Sequence, residues 1–337
     1  MILILSEHHD PTTDMVCDWL NHYNANFVRT NNGTNNDNIY GKIVFTDNIL
    51  IFELQINGKT YNLDEISCIW CRRGHLNIKM PYINDLNFSE IEIINVVDNH
   101  LFRESSTLHR FFEYLIEEKM HINNPNHYNS NKLIALRTAQ KAGLKIPETV
   151  ITQNAEVLKQ FYKKQKCIIT KNIQDVLTHS NKNFCFGIGI KDVKIKDITT
   201  ANFFYSLFQK KIIRKYELRI FYLLGKFFVH ATFPPVETKI TDIRNTSREN
   251  TFARFELPEE IKDKLHNFMQ FMNLESGSID MIVDKNDDYY FLEVNPVGQF
   301  GYVSGYNNYY IEKEIAKILI NFENEQEINK TKRSVSA

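Results

Sequence analysis

The residues most suggestive of chemistry lie in a predicted β-hairpin near the carboxyl end of the chain. Two β-patterned runs flank a polar turn at Asn286 and Asp287. If the turn loop holds two or four residues, Asp280 lies directly opposite Glu293. Because side chains alternate faces with period two, Glu293 and Asn295 point the same way. Two facing carboxylates repel each other, and a cation between them would reverse the sign of that interaction.

The possible metal ligands of this hairpin are oxygen atoms, from the carboxylates of Asp280 and Glu293 and the amide of Asn295. Such ligands suit Mg²⁺, which usually binds one or two carboxylates together with substrate phosphates. The alternative is a surface hairpin with solvated acids. The predicted burial of Leu292 and Val294, and the end of the strand at an Asn-Pro pair, favour the metal site.

The same stretch resembles the metal-binding end of the ATP-grasp ligases, through Asp280 and the sequence LEVNP at 292–296. The run 295–301, NPVGQFG, is similar to the ATP-grasp peptide maturases of the microviridin (graspetide) type. With YVS at 302–304 and NYYIE at 308–312 added, the chain resembles most closely the grasp-with-spasm subgroup. The resemblance covers most of 123–322. It implies an α/β and α+β architecture: an ATP-grasp fold with an N-terminal pre-ATP-grasp α/β domain, a central lobe and a C-terminal lobe.

The domain boundaries are predicted from breaks in the hydrophobic pattern. An apolar strand followed by helical spacing opens a small α/β domain, and the Asn-Asn-Pro sequence at 123–125 breaks the pattern. We expect an N-terminal domain over 1–122, a central lobe over 123–208, a C-terminal lobe over 209–325 and a compositionally disordered tail over 326–337.

Composition narrows the class of protein. The chain has 337 residues and a formal net charge of −1, which argues against a nucleic-acid partner. The first residues do not resemble a signal peptide, and no apolar run reaches about 18 residues, so we expect a cytoplasmic protein without a membrane partner. Five scattered cysteines suit reduced thiols. Cys68 and Cys71 form a C-x-x-C sequence within a predicted buried strand, which favours core cysteines over a zinc site.

The resemblance also implies an ATP site. Lys132 would reach a nucleotide phosphate, and Lys171 would meet the α- and β-phosphates as a point charge. Backbone groups over 209–212 would contact adenine, although many relatives have Gln-Glu where this chain has Gln209-Lys210. The lid sequence 172–183 lacks glycine, so the lid either uses polar side chains or stays open until substrate binds. The implied cofactor-binding residues are Lys132, Lys171, Gln209, Lys210, Ile212, Glu217 and Asn295.

Three further residues are candidates for catalysis by resemblance. Arg219, in a Glu-Leu-Arg sequence before a predicted strand, would stabilise the transferred phosphoryl group and an acyl phosphate. Asp242 and Arg244 match the D-x-R motif of the family. Arg244 would clamp the acceptor carboxylate or the γ-phosphate, while Asp242 would orient it or act as general base.

The implied reaction activates a carboxylate with ATP and two Mg²⁺ ions held by Asp280, Glu293 and Asn295. The substrate would be a ribosomally made precursor peptide, with a leader that docks on the enzyme and a core that reacts. Its Asp or Glu carboxylates would join Ser or Thr hydroxyls, or Lys amines, in ω-ester or ω-amide links. The likeness also implies a homodimer and a SPASM radical-SAM protein encoded nearby.

Two other functions are compatible with the residues. One is an ATP-dependent amino-acid ligase of the glutamate-adding type, which would add mass to its substrate rather than remove water. The other is a nucleotide-binding regulatory module without turnover, which the complete set of metal ligands and Arg219 disfavours. The sequence does not distinguish ester from amide products.

Overall fold

The computed structural model describes residues 1–32, 38–76, 91–174, 178–180, 185–187, 189–235 and 250–335. The chain divides into two compact units, one formed by Met1–Tyr128 with Tyr310–Ala337 and the other by Asn129–Tyr309. Within the described parts of the chain, no helix combines the length and the apolar character that a membrane crossing requires.

The first unit contains a parallel sheet and a separate antiparallel one. Its strands are β1 (Ile2–Glu7), β2 (Phe27–Asn32), β3 (Asn38–Phe45), β4 (Leu50–Ile56), β5 (Lys59–Asn62), β6 (Cys68–Cys71) and β7 (Met120–Ile122), and its helices include α1 (Pro11–His22) and α2 (Ile91–Glu117). The parallel sheet has the order β2-β1-β6-β7, and β3, β4 and β5 form the other sheet. The apolar residues Ile2–Leu5 are fully buried, as expected for a parallel strand covered on both faces.

The C-x-x-C sequence lies on β6, where Cys68 and Cys71 are both fully buried free thiols. Burial raises the pKa of the Cys68 thiol to about 12. The prediction of core cysteines is confirmed. The arginine that follows them, Arg72, is also buried, and its Nε lies 3.1 Å from Oδ2 of Asp10, the residue that caps α1.

The second unit begins with an antiparallel sheet in the order β12-β9-β13-β8. The elements of this part of the unit are α3 (Lys132–Lys141), β8 (Thr149–Asn154), α4 (Ala155–Gln165), β9 (Ile168–Lys171), β10 (Thr178–Ser180), β11 (Cys185–Gly187), β12 (Lys191–Val193) and β13 (Asn202–Lys210). Strands β10 and β11 form a separate two-stranded sheet. The Asn131 side chain caps α3 by accepting from the backbone N–H groups of Leu133 and Ile134. Gly143, with φ of +77°, follows the end of the helix.

The rest of this unit is a five-stranded antiparallel sheet in the order β16-β15-β14-β17-β18. Its elements are β14 (Arg214–Leu223), β15 (Lys226–Phe233), β16 (Thr251–Arg254), α5 (Glu259–Phe271), β17 (Ser276–Asp284), β18 (Tyr289–Asn295) and α6 (Gly301–Asn307). One face of the sheet packs on α3 and α5 through an apolar core that includes Leu136, Ile220, Phe268, Ile279 and Phe291. The opposite face carries the polar residues described below.

The last helix, α7 (Ile311–Val335), corrects the predicted disordered tail. The polar composition of 326–337 predicted disorder, whereas the structure continues the helix through most of this segment. The Glu, Gln and Lys residues that made this segment look disordered have high intrinsic helix propensity, and a helix can continue through them from a packed start. Ile311, Ile315 and Leu319 provide that buried start.

Candidate functional site

Three charged residues form a row across neighbouring strands of the five-stranded sheet. Arg219 on β14 pairs in register with Asp280 on β17, and Asp280 pairs with Glu293 on β18. Residues paired across strands emerge on the same face, with the strands about 4.8 Å apart. Asp280 and Glu293 therefore face each other as predicted.

The guanidinium of Arg219 neutralises one carboxylate of the row. Its Nη1 donates to Oδ1 of Asp280 at 2.8 Å and to Oδ2 at 2.7 Å. Burial alone would lower the pKa of Arg219, but the carboxylate of Asp280 raises it above its ordinary value. Arg219 is therefore a fixed positive charge at the end of the row.

Two lysines approach the other end of the row. Lys132, the first residue of α3, has its Nζ 3.7 Å from Oε2 of Glu293 and donates to the carbonyl of Gln174 at 2.5 Å. Lys171 ends β9 and is half-buried. Burial lowers the pKa of Lys171, the charge of Glu293 opposes that shift, and the charge of Lys132 adds to it. Both predicted phosphate-side lysines thus interact electrostatically with the Glu293 carboxylate.

The predicted metal ligands fit Mg²⁺ by the chemistry of their atoms. Asp280 and Glu293 provide carboxylates from adjacent strands, and Asn295 follows two residues later on β18. Asn295 Oδ1 accepts from the N–H of Val297 at 3.1 Å, which leaves this amide oxygen a second lone pair. Among the described residues, no group of three or more His, Cys, Asp or Glu side chains is arranged so that it could hold a metal ion by itself. A pair of carboxylates completed by substrate phosphates is the arrangement that Mg²⁺ commonly uses.

The turn after the metal ligands depends on Gly298. Its N–H donates to the Asn295 carbonyl at 3.0 Å, and a Cβ built on Gly298 would lie 2.5 Å from Cβ of Ser278 and 3.0 Å from that carbonyl. Ser278 is itself buried on β17, two residues before Asp280. A side chain at 298 would therefore displace the turn that holds Asn295.

We expect Gly298→Ala to destabilise the protein by about 2 kcal/mol, because overpacking against the buried Ser278 side chain and the Asn295 carbonyl is not easily relaxed. Chemical denaturation measures this change. Gly305→Ala is the matched control, since nothing lies within 4 Å of its built Cβ in α6. Its expected effect is neutral or stabilising by less than about 1 kcal/mol. Equal free energies of unfolding for Gly298→Ala and the wild type would show that the turn accommodates a methyl group.

The residues predicted to contact adenine, Gln209, Lys210 and Ile212, lie on or directly after β13. Gln209 is buried, and its Nε2 donates to Oγ1 of Thr149 at 2.9 Å, so its side chain links β13 to β8. The N–H of Lys210 donates to the Glu148 carbonyl at 2.8 Å, and Ile212 lies between β13 and β14. The expected contact of backbone groups over 209–212 with adenine stays a prediction.

Glu217 shares a strand and a face with Arg219, two residues away on β14. Its Oε1 accepts from Nη1 of Arg214 at 2.9 Å. Asp242 and Arg244, the two residues of the predicted D-x-R motif, lie outside the described residues.

Two residues that support the site, Ser130 and Tyr302, were not predicted as site residues from the sequence. Ser130 donates from Oγ to the Val294 carbonyl at 2.9 Å, which attaches the segment before α3 to the metal strand. Tyr302 lies against Arg219, and burial raises the pKa of this phenol to about 12 despite the opposing guanidinium charge. No residue spacing indicates the Ser130 contact, because 164 positions separate its partners. The position of Tyr302, immediately after the motif that ends at Gly301, was a usable signal.

Solved structures resemble this chain over nearly its whole length. A RiPP-associated ATP-grasp ligase from Chryseobacterium gregarium, in complex with ADP and a leader and core peptide, is 24% identical, with coverage of 95% of this chain and 96% of that one and a TM-score of 0.77. The macrocyclase MdnC from Microcystis aeruginosa MRC, bound with precursor peptide MdnA, is 24% identical, with coverage of 95% and 99% and a TM-score of 0.75.

The ATP-grasp ligase PsnB, complexed with minimal precursor, Mg and ADP, is 16% identical, with coverage of 96% of this chain and 97% of that one and a TM-score of 0.70. No protein-family profile and no curated protein sequence matches the chain. The structural likeness nevertheless extends across both units and agrees with the predicted architecture. The chain has the fold of the ATP-grasp ligases, as the sequence predicts.

Proposed function

We propose that this chain is an ATP-dependent peptide macrocyclase. It phosphorylates Asp or Glu side chains of a ribosomally made precursor peptide and condenses them with Ser or Thr hydroxyls or Lys amines. The row of Arg219, Asp280 and Glu293, with two lysines beside Glu293, is the observation that carries the proposal. The proteins of the same fold named above include ATP-grasp ligases and a macrocyclase bound to precursor peptides, which supports this substrate class.

The chemistry needs an activated carboxyl group. A carboxylate oxygen of the peptide attacks the γ-phosphorus, the bond from that phosphorus to ADP breaks, and an acyl phosphate forms. A hydroxyl or amine of the same peptide then attacks the acyl carbon, loses a proton to a base, and expels inorganic phosphate. One water is lost from the peptide for each ring, and no covalent bond to the protein is needed.

We assign roles to the residues of the row and its neighbours on this basis. Asp280, Glu293 and Asn295 would hold Mg²⁺, and we expect two ions. Bound Mg²⁺ would neutralise negative charge on the phosphate oxygens. Lys132 and Lys171 hold the phosphates.

Arg219 stabilises the phosphoryl group in transfer, and Arg244 and Asp242 bind and orient the acceptor or remove its proton. The adenosine moiety contacts backbone of Gln209, Lys210 and Ile212, with Glu217 nearby.

Several wider features remain part of the proposal. We propose domain limits at 122 and 208, binding of a leader as well as a core segment, a homodimer, and a cytoplasmic location. The grasp-with-spasm subgroup is proposed from the resemblance of 295–304 and 308–312 alone, together with the encoded SPASM radical-SAM neighbour.

Lys171→Met is expected to weaken ADP binding by about 10- to 100-fold, the effect of losing one hydrogen bond to a charged group. Met retains the apolar stem, so the half-buried position at the end of β9 stays filled. Isothermal titration with ADP and Mg²⁺ measures the change. Lys191→Met is the matched control, because Lys191 is an exposed residue on neighbouring β12. An unchanged affinity in Lys171→Met would remove this lysine from the phosphate site.

The proposed function is tested by the intact mass of a precursor peptide encoded beside this chain, after incubation with enzyme, ATP and Mg²⁺. We expect an ATP-dependent loss of about 18 Da per ring, one water for each acyl-phosphate cycle. Methanolysis of the product then distinguishes esters from amides. A gain in mass when free amino acids are supplied would instead indicate an amino-acid ligase.

A further inference from the structure

An aromatic surface adjoins the Arg219 row on the same face of the sheet. His230 on β15 pairs in register with Arg219, so the two residues are neighbours on strands about 4.8 Å apart. Around the His230 ring lie the rings of Phe252, Tyr302 and Tyr306, with centroids 5.1, 5.4 and 6.0 Å away. We call Phe252, Tyr302 and Tyr306 the aromatic shelf.

The floor of the aromatic shelf is a neutral imidazole. His230 is 2% exposed, and burial lowers its pKa. The side-chain nitrogen of Asn307 donates to the Val303 carbonyl at 2.8 Å and lies 2.8 Å from Nδ1 of His230. Because an amide nitrogen only donates, Nδ1 accepts and the ring proton resides on Nε2. The floor therefore adds no charge to the shelf.

The nearest guanidinium on β16 is held away from the shelf by the end of α6. Arg254 pairs in register with His230, but its Nε donates to the Asn307 carbonyl and its Nη2 to the Asn308 carbonyl. Its guanidinium carbon also lies 4.7 Å from the centre of the Tyr309 ring. The guanidinium of Arg254 is thus bound by residues 307–309. The surface that the shelf presents to a ligand therefore consists of aromatic rings.

The rings of the shelf are held by contact with His230 and remain partly exposed to solvent. Phe252 and Tyr306 stack with centroids 5.4 Å apart and an angle of 21° between their planes. Phe252, Tyr302 and Tyr306 are 38%, 42% and 68% exposed. Rigid aromatic rings bury apolar area at a small cost in side-chain entropy, so such a cluster is well suited to bind an apolar group.

We infer that the aromatic shelf binds an apolar or aromatic side chain of the substrate peptide, within about three residues of the carboxylate that reacts. This inference depends on the proposed function, because it places that carboxylate beside Arg219. An extended peptide advances about 3.3 Å per residue, and the strands between Arg219 and Phe252 span about 10 Å, so two or three residues bridge the distance. Tyr302 contacts both His230 and Arg219, which makes the shelf continuous with the row.

The inference is tested with two versions of the precursor peptide, one with Leu and one with Ser at a position within that distance of the reacting carboxylate. We expect the wild type to bind the Leu peptide about 10-fold more tightly, the effect of burying one apolar side chain. Tyr306→Ala is expected to lose most of this preference and to bind the Ser peptide as the wild type does. Tyr306→Phe, which keeps the ring, is expected to retain the preference.

Binding and turnover separate the two possible failures. Equal affinity of the wild type for the two peptides at every position tested, or full preference in Tyr306→Ala, would overturn the role of the shelf. If the preference is present in binding but neither peptide loses about 18 Da with ATP, the shelf stands and the macrocyclase proposal fails. Because Tyr306 is 68% exposed, its replacement is not expected to unfold the sheet.

Discussion

Glu293→Gln is expected to lower the rate of ring formation by about 10³-fold or more, because a metal site that loses one of two carboxylates loses several kcal/mol of charge stabilisation. Glu293 lies opposite Asp280 and 3.7 Å from the Lys132 ammonium group. Glutamine preserves the shape of the side chain and removes its charge. The rate is measured by mass spectrometry of the peptide. The rise in melting temperature on adding ADP and Mg²⁺ measures binding without turnover. We expect this rise to be smaller for Glu293→Gln than for the wild type.

The matched control for Glu293→Gln is Asp287→Asn, a carboxylate-to-amide change at the tip of the same hairpin. Asp287 is exposed, pairs with Lys215 at 2.7 Å, and has a φ of +62° that Asn accepts readily. We expect an unchanged rate and a stability change of about 0.5 kcal/mol or less. A Glu293→Gln protein with the wild-type rate and thermal response would remove Glu293 from the metal site.

Arg219→Lys is expected to lower the rate of ring formation by about 10²-fold, the usual effect of removing one donor that stabilises transition-state charge. Lysine keeps the positive charge, and its single nitrogen can still contact Asp280 as Nη1 does, but it lacks the other guanidinium donors that would reach the transferred phosphoryl group. The lost interaction forms fully only in the transition state, so the affinity for ADP should change little. Rate and affinity are measured separately, by peptide mass and by titration.

The control for Arg219→Lys is Arg137→Lys, because Arg137 is an exposed arginine on α3 in the same unit. We expect it to leave rate and affinity unchanged. If Arg219→Lys weakens ADP binding as much as it lowers the rate, Arg219 acts in nucleotide binding and its assigned role in phosphoryl transfer is wrong.

The pairing of Asp280 with Glu293 could be predicted from the sequence, but the predicted loop length of the hairpin differs from the one in the structure. The prediction assumed a turn loop of two or four residues centred on Asn286 and Asp287. In the structure Val283 pairs with Tyr289, and Met281 pairs with Phe291, so the loop has an odd number of residues. One extra residue, Leu292, then shifts the register so that Asp280 meets Glu293. The bulge gave no sequence signal, and it leaves Leu292, which was predicted to be buried, only half-buried.

Other parts of the site could not be predicted because they depend on contacts distant in sequence. The burial of Gln209 against Thr149 follows from the pairing of β13 with β8, which periodicity does not reveal. The aromatic shelf likewise combines residues from β16 and α6 around His230. The helical course of α7 beyond Phe322 shows a related limit, since a polar composition fits both a disordered tail and an exposed helix.

We propose that the substrate carboxylate is activated by phosphoryl transfer at the row of Arg219, Asp280 and Glu293. Labelling the Asp and Glu carboxylates of the precursor peptide with ¹⁸O tests this claim directly. Because the attacking carboxylate oxygen leaves with the phosphate, we predict one ¹⁸O atom in inorganic phosphate for each ring formed. Ring formation that releases phosphate without ¹⁸O would contradict an acyl-phosphate intermediate, and with it the roles assigned to these residues.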